Sequence, residues 1–196
     1  MRQSPRDEVF RGDRRTPPVT REIVQLTRTG TRWEVTPDFA SLLDDVLRAP
    51  GVAVKASAAK LVERREVSGR VFYVKIYRHD AFALRPFKFF FKQSPARREW
   101  DLAACVEQRG IPVVRHVALG ERRSARGLLE SILITEAFDG VPLNEAVHLG
   151  GIEIIHFVER LAMAGLRHTD LHPANLLFNQ ASGEIRLVDL DGMELA

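Results

Sequence analysis

The sequence predicts an α+β chain in two lobes, a sheet-rich lobe with one long helix followed by a lobe that opens on a helix and a loop–hairpin unit. Three observations carry this. Between positions 51 and 136, several short runs alternate apolar and polar residues and are punctuated by turn residues, the period of half-buried strands. Between 97 and 109 the period becomes that of a helix. After 138, a helix leads into a polar loop and two short apolar runs separated by turn residues. With 196 residues, 45% of them hydrophobic, the chain can bury a core as one domain or two small lobes.

Residues 1–20 read as a disordered basic tail, with Arg2, Arg6, Arg11, Arg14 and Arg15 ahead of Thr16-Pro-Pro-Val19. A strand pair follows, Ile23 to Leu26 and Arg32 to Val35, turning at Thr29-Gly30. Pro37 and Asp38 then start a helix carrying Phe39, Leu42, Leu43, Val46 and Leu47. This 21–50 unit is expected to cover one side of the sheet. The first lobe, 51–138, takes strands near 52–56, 61–67 and 71–77, the last two joined across Ser68-Gly69. Along the third, Phe72, Val74 and Ile76 share one face, and Tyr73, Lys75 and Tyr77 share the other. The helix from Arg97 to Arg109 carries Leu102, Ala103 and Val106 as its apolar stripe and stops at Gly110-Ile-Pro112. Glu99 falls one turn before that stripe, on the core-facing side, where an unpaired carboxylate is costly. Lys75 is the partner expected for it. Strands near 114–120 and 131–136 complete a five-stranded antiparallel sheet, and Phe138-Asp-Gly140 links to the second lobe, 139–196.

The second lobe starts with a helix over 154–166, where Ile154, Ile155, Val158, Leu161 and Ala162 recur at helical spacing and Gly165 lies near the end. The loop His168-Thr-Asp170-Leu-His172-Pro-Ala-Asn175 follows. Leu176-Leu-Phe178, the turn Asn179-Gln-Ala-Ser-Gly183 and Ile185-Arg-Leu-Val188 then make a hairpin that returns Asp189 beside Asn175. One at a time, an Asp or Asn on a loop is a turn or cap residue. Together they form the set that phosphoryl transfer needs: Asp170 to take the proton of an attacking hydroxyl, Asn175 and Asp189 to hold a metal against the phosphates. Asp191 is the rival of Asp189. A His168/Asp170/His172 metal triad for hydrolysis is the alternative, and no further ligand cluster accompanies it.

The loop from His168 to Asn175 resembles the catalytic loop of the protein-kinase-like superfamily, and Phe72-Tyr-Val-Lys75-Ile-Tyr-Arg78 resembles its third strand with the phosphate-binding Lys. Arg98-Glu99-Trp100 through Arg109-Gly-Ile-Pro112, Val117-Ala-Leu-Gly-Glu121 and Ser131-Ile-Leu-Ile-Thr-Glu136 are similar to the lipopolysaccharide kinase (Kdo/WaaP-type) family. The resemblance runs from about Val52 to Gly192. It implies a protein-kinase-like bilobal fold and ATP-dependent phosphotransfer to a hydroxyl of a sugar or lipopolysaccharide-type acceptor, with ATP and Mg²⁺ as cofactors. Lys75, held by Glu99, would contact the phosphates, and Thr135, Glu136, Ala137 and Phe138 would face the adenine through backbone groups. Asn175 and Asp189 would bind Mg²⁺, with Asp170 as the base and His168 bracing the loop.

Two departures stand against that pattern. The turn Lys55-Ala-Ser-Ala-Ala-Lys60 has no glycine where backbone amides should approach phosphates closely. The sequence stops at Ala196, soon after the metal-binding strand, so a truncated helical second lobe is expected, and with it a weakened enzyme, a partner that completes the fold or a truncated reading frame. A non-catalytic pseudokinase, or a module that binds nucleotide or lipid, is the alternative function.

The net charge is only +3, yet the pI is about 9.3. A single Cys, Cys105, excludes an intramolecular disulfide and a cysteine-cluster metal site, and points to a reducing compartment. No run is long enough to span a membrane, and the start lacks the apolar core of a signal peptide. A cytoplasmic protein is expected, with a peripheral contact at the inner membrane. In 81–92, Phe82, Phe87, Phe89, Phe90 and Phe91 interleave with Arg85, Lys88 and Lys92, a pattern that suits core packing or a membrane interface. No basic groove accompanies these aromatics, so no nucleic-acid partner is expected.

Overall fold

The computed structural model describes residues 22–79, 89, 92–125, 127–146, 151–190 and 192–195. The first half is one sheet of β1 (Val24–Arg28), β2 (Thr31–Val35), β3 (Gly51–Ala56), β4 (Lys60–Val67), β5 (Arg70–Arg78), β6 (His116–Ser124) and β7 (Gly127–Glu136). Its order is β1-β2-β6-β7-β5-β4-β3, and every neighbouring pair is antiparallel. The five strands expected from sequence are present; of the 21–50 unit ahead of them, the strand pair extends the sheet to seven strands, while Phe39, Leu43 and Val46 pack on one face of it. β2 pairs with β6 from Thr31↔Arg122 to Val35↔Ala118. Without it, β6 would present a row of unpaired N–H and C=O groups at an edge. Both expected hairpin turns form. Thr29 and Gly30 (φ 48° and 75°), like Ser68 and Gly69 (φ 52° and 73°), take the left-handed conformation that a two-residue turn matched to strand twist requires.

The alternation along β5 sorts its side chains as the sequence implies. Phe72 and Val74 join Trp33, Val35, Phe39, Val46 and Ile134 in a core on one face. Gly120 is needed there, because a β-carbon would lie 2.7 Å from the Trp33 ring. The helix expected from Pro37 starts late: the Thr36 carbonyl accepts the Phe39 and Ala40 amides in tight turns, and α1 covers only Leu43–Arg48. On the opposite face lies α2 (Pro95–Gln108), whose Ala96 and Trp100 pack on Leu119 and Leu133. Ser94 caps it by accepting the Arg97 amide at 3.0 Å, with Pro95 at the first helical position.

The second half contains β8 (Val141–Pro142), α3 (Gly151–Met163), β9 (Leu166–His168), a 3₁₀ turn at Pro173–Asn175, β10 (Leu176–Phe178), β11 (Ile185–Leu187) and β12 (Met193–Leu195). β10 pairs with β11 and β8, and β12 pairs with β9. The helix ends before Gly165 (φ 64°), and Leu166 starts a strand instead of continuing it. Its inward stripe is Ile154, Phe157 and Leu161, whereas Ile155 and Val158 are 57% and 43% exposed. A single core joins the two halves, running from Ala103 and Val106 on α2 to Phe157, Leu161, Leu176 and Leu187. Leu187 also bonds by backbone to Val114 (2.8 Å) and Pro112 (3.1 Å), fixing the hairpin to the segment that follows α2.

Of the aromatics between 81 and 92, Phe89 is described, its ring 4.4 Å from that of His79. Phe82, Phe87, Phe90 and Phe91 lie outside the described residues, as do Arg85, Lys88, Asp191 and the tail at 1–20. No helix among the described residues is long and apolar enough to cross a membrane.

Candidate active site

The upper part of the site is a buried ion pair. Lys75 stands on the α2 side of β5, and Glu99 sits one turn into α2, so sheet and helix aim the two side chains at each other. Lys75 Nζ donates to Glu99 Oε1 at 2.5 Å, and both residues are buried. Tyr77, two residues along the same face, donates to Glu99 Oε2 at 3.3 Å. Burial alone would raise the Glu99 carboxyl, but the Lys75 ammonium, and behind it His116, bring it down to about 2. Glu99 is therefore an anion at any ordinary pH, and it holds the Lys75 ammonium in place.

His116 is a member of this cluster that sequence reasoning missed. It is fully buried at the start of β6, and its Nδ1 lies 2.9 Å from the Val114 carbonyl. A carbonyl only accepts, so Nδ1 carries the proton. The other nitrogen, Nε2, faces Glu99 Oε1 at 3.7 Å and has no closer hydrogen-bond partner among the described residues. A single His with no periodic signal gives no hint of this in the sequence. The link between the halves was also only partly legible. Glu136 is held by Arg70 (2.7 Å) and Arg115 (3.1 Å), and its amide bonds the Arg115 carbonyl, while the Ala137 amide bonds Val71. Of the four residues expected to meet a base through backbone groups, Thr135 is buried in the sheet, and the Glu136 and Ala137 N–H groups are already engaged. Among these N–H groups that of Phe138 is left for a base, alongside the carbonyl groups of the segment. Phe138 itself lies under the Arg186 guanidinium at 4.4 Å.

The lower part is a loop fixed by backbone bonds. His168 accepts the Asp170 amide on Nδ1 (3.2 Å), so Nε2 carries the proton and donates to the Asp189 carbonyl at 3.0 Å. The Thr169 amide bonds the Gly192 carbonyl at 2.9 Å. His168 thus ties the loop to the end of the hairpin, in the bracing role the sequence suggested. The Leu176↔Leu187 register and the Val188 amide on the Asn175 carbonyl (3.0 Å) bring Asp189 beside Asn175. The Asn175 side-chain amide donates to the Asp170 carbonyl at 3.2 Å, which leaves its oxygen as the acceptor end. The Asp170 carboxylate is exposed at the surface of the loop.

The amide oxygen of Asn175 and the carboxylate of Asp189 are hard donors of the type that suits Mg²⁺ shared with phosphates, rather than a closed protein cage. Among the described residues no group of three or more His, Cys, Asp or Glu could hold a metal. The His168/Asp170/His172 triad is therefore set aside, since both His168 nitrogens are committed to the backbone.

An antiparallel sheet whose strand lysine is gripped by a helix glutamate, joined to a braced loop and a hairpin, defines a protein-kinase-like fold. Residues 51–147 match the model of the Lipopolysaccharide kinase (Kdo/WaaP) family, a stretch that holds Lys75, Glu99 and the 135–138 link. Over that stretch the chain is similar to this family. A solved structure of WaaP in complex with acyl carrier protein is similar over 84% of this chain and 73% of that one, with 21% identity and a TM-score of 0.58. The crystal structure of the BubR1 kinase domain overlaps 88% of this chain but half of that one, with 14% identity and a TM-score of 0.48. None of the curated proteins matches the sequence.

Proposed function

We propose that the chain is an ATP-dependent phosphotransferase whose acceptor is a hydroxyl on a sugar or lipid-linked sugar of the lipopolysaccharide type. The observation that carries this is the buried Lys75–Glu99 pair, 2.5 Å apart, within a stretch that matches the lipopolysaccharide kinase family. A buried, hydrogen-bonded lysine whose carboxylate partner is fixed as an anion is the arrangement that presents an ammonium to phosphates.

In this reading Lys75, held by Glu99, contacts the nucleotide phosphates, and Phe138 offers its N–H to the base. Asn175 and Asp189 hold Mg²⁺, which when bound neutralises charge on the phosphates. The Asp170 carboxylate accepts the proton of the acceptor hydroxyl. The oxygen then forms a bond to the terminal phosphorus as the bond to the bridging oxygen breaks and ADP departs. His168 keeps Asp170 in position through the backbone rather than by moving a proton. A protein partner belongs to the proposal, supported by the WaaP structure, which is a complex with acyl carrier protein. So does a place at the cytoplasmic face of the inner membrane, where lipid-linked acceptors are met.

One observation favours a second reading, a nucleotide-binding module without turnover. The β3–β4 turn lacks glycine and closes on itself, the Ser57 amide on the Lys60 carbonyl at 2.8 Å and the Lys60 amide on Ser57 Oγ at 3.1 Å. Replacing Asp170 by Asn separates the two. Loss of ATP turnover with ATP binding intact supports the enzyme. No turnover in either the parent or the Asp170→Asn protein supports the binding module.

A further inference from the structure

Beside the Lys75–Glu99 pair lies a cavity of about 400 Å³ between the β4–β5 ladder, the start of α2 and the segment after β11. Lys60, Lys92 and Arg98 line it together with Tyr77, Glu99 and Leu190. Lys60 is opposite Tyr77 in the β4–β5 register, and its ammonium stands 5.2 Å from the centre of that ring. The ring orients the ammonium without neutralising it. Arg98 and Lys92 are exposed on the near side of α2 and just before it. Among the described residues, none of these three cations has a carboxylate partner. The one acid in the lining, Glu99, is already opposed by Lys75 at 2.5 Å.

Three positive charges thus line one hollow, and among the described residues no carboxylate pairs with them. Gathering like charges costs energy, and an anion entering the hollow relieves that cost. We propose that this cavity binds a phosphate group. The inference rests on the phosphotransferase reading and names where the charged end of a substrate lies. The β3–β4 turn spends its Ser57 and Lys60 amides on itself, so the side chains of Lys60 and Arg98 supply the positive charge that a glycine-rich turn would offer through its backbone. Arg98 offers a planar fork to two phosphate oxygens, and the lysines act as point charges. The phosphate belongs either to the end of the nucleotide or to a phosphorylated acceptor.

The test is calorimetric titration of the full chain and of a Lys60→Gln/Arg98→Gln double variant with inorganic phosphate, adenosine and Mg·ATP. Lys92→Gln serves as a second variant, and melting transitions check that each protein is folded. Inorganic phosphate is expected to bind the parent in the millimolar range and the double variant about tenfold more weakly or worse, with a smaller loss in Lys92→Gln. If the double variant also loses about tenfold in Mg·ATP affinity while adenosine binding is unchanged, the nucleotide is the source. If Mg·ATP binds both proteins alike and inorganic phosphate still binds the parent saturated with Mg·ATP, the acceptor is the source. Equal phosphate binding by parent and double variant, or none by the parent, overturns the proposal. A parent that binds phosphate here but no Mg·ATP defeats the phosphotransferase reading and leaves the phosphate site standing.

Discussion

The two halves of the site are held by opposite means. In the sheet-rich half, the side chains expected to act also carry the packing: Lys75 and Glu99 are 7% and 6% exposed and satisfy one another. In the loop half, the backbone does the holding. Thr169 is tied to Gly192, His168 to Asp189 and Val188 to Asn175, while the Asp170 carboxylate faces outward. Function and stability therefore share the same atoms above the cleft and are separable below it. Mutations should reveal that split.

The largest effect is expected from Glu99→Ala. Removing one partner leaves the Lys75 ammonium buried and uncompensated, which costs on the order of 3–5 kcal/mol. Urea unfolding should register that loss, and ATP turnover should fall with it. Asp170→Asn should break the comparison in the other direction, lowering turnover by about 10²–10⁴-fold while stability stays within about 0.5 kcal/mol of the parent. A large loss of stability in that variant would mean the loop half is not held by its backbone.

A pH titration of unfolding sharpens the contrast. The folded Glu99 carboxyl is brought to about 2 from an ordinary value of 4.5, so the unfolded chain binds the extra proton between those values. The stabilisation is complete above about 4.5 and is lost as pH falls through about 2. Glu99→Gln should flatten the acid limb of the stability curve. His116→Phe removes one of the two groups that lower Glu99 and should move that limb to higher pH. An unchanged limb in both variants would separate Glu99 from acid stability. The smallest effect is expected at Gly69, where φ is 73° and nothing crowds a β-carbon. Gly69→Ala should cost about 1–2 kcal/mol in unfolding and leave turnover alone.

What could be read from the sequence follows from how local each signal is. Alternation along β5 placed Lys75 opposite Phe72 and Val74, and helical spacing put Glu99 on the buried side of α2, so the pair was legible before any coordinates. The hairpin that returns Asp189 to Asn175 was legible for the same reason, since turn residues at 179–183 set its register. The seven-stranded sheet was not. The pairing Val35↔Ala118 joins residues far apart in the chain, and nothing local distinguishes a strand pair that covers a sheet from one that extends it. His116 was silent because its role depends on three elements meeting, β5, β6 and α2. The engaged amides of Glu136 and Ala137 were hidden likewise, because their acceptors, Arg115 and Val71, come from other parts of the chain.

The most direct measurement is a double-mutant cycle on Mg·ATP affinity, using Lys75→Gln, Asp189→Asn and the combined variant, with each protein shown to be folded by its melting transition. If a lysine of the sheet and an aspartate of the hairpin grip one magnesium–nucleotide complex, the two losses are coupled, and the double variant departs from their sum by more than about 0.5 kcal/mol. Losses that add to within about 0.3 kcal/mol would mean that the two residues act on different ligands, or on none.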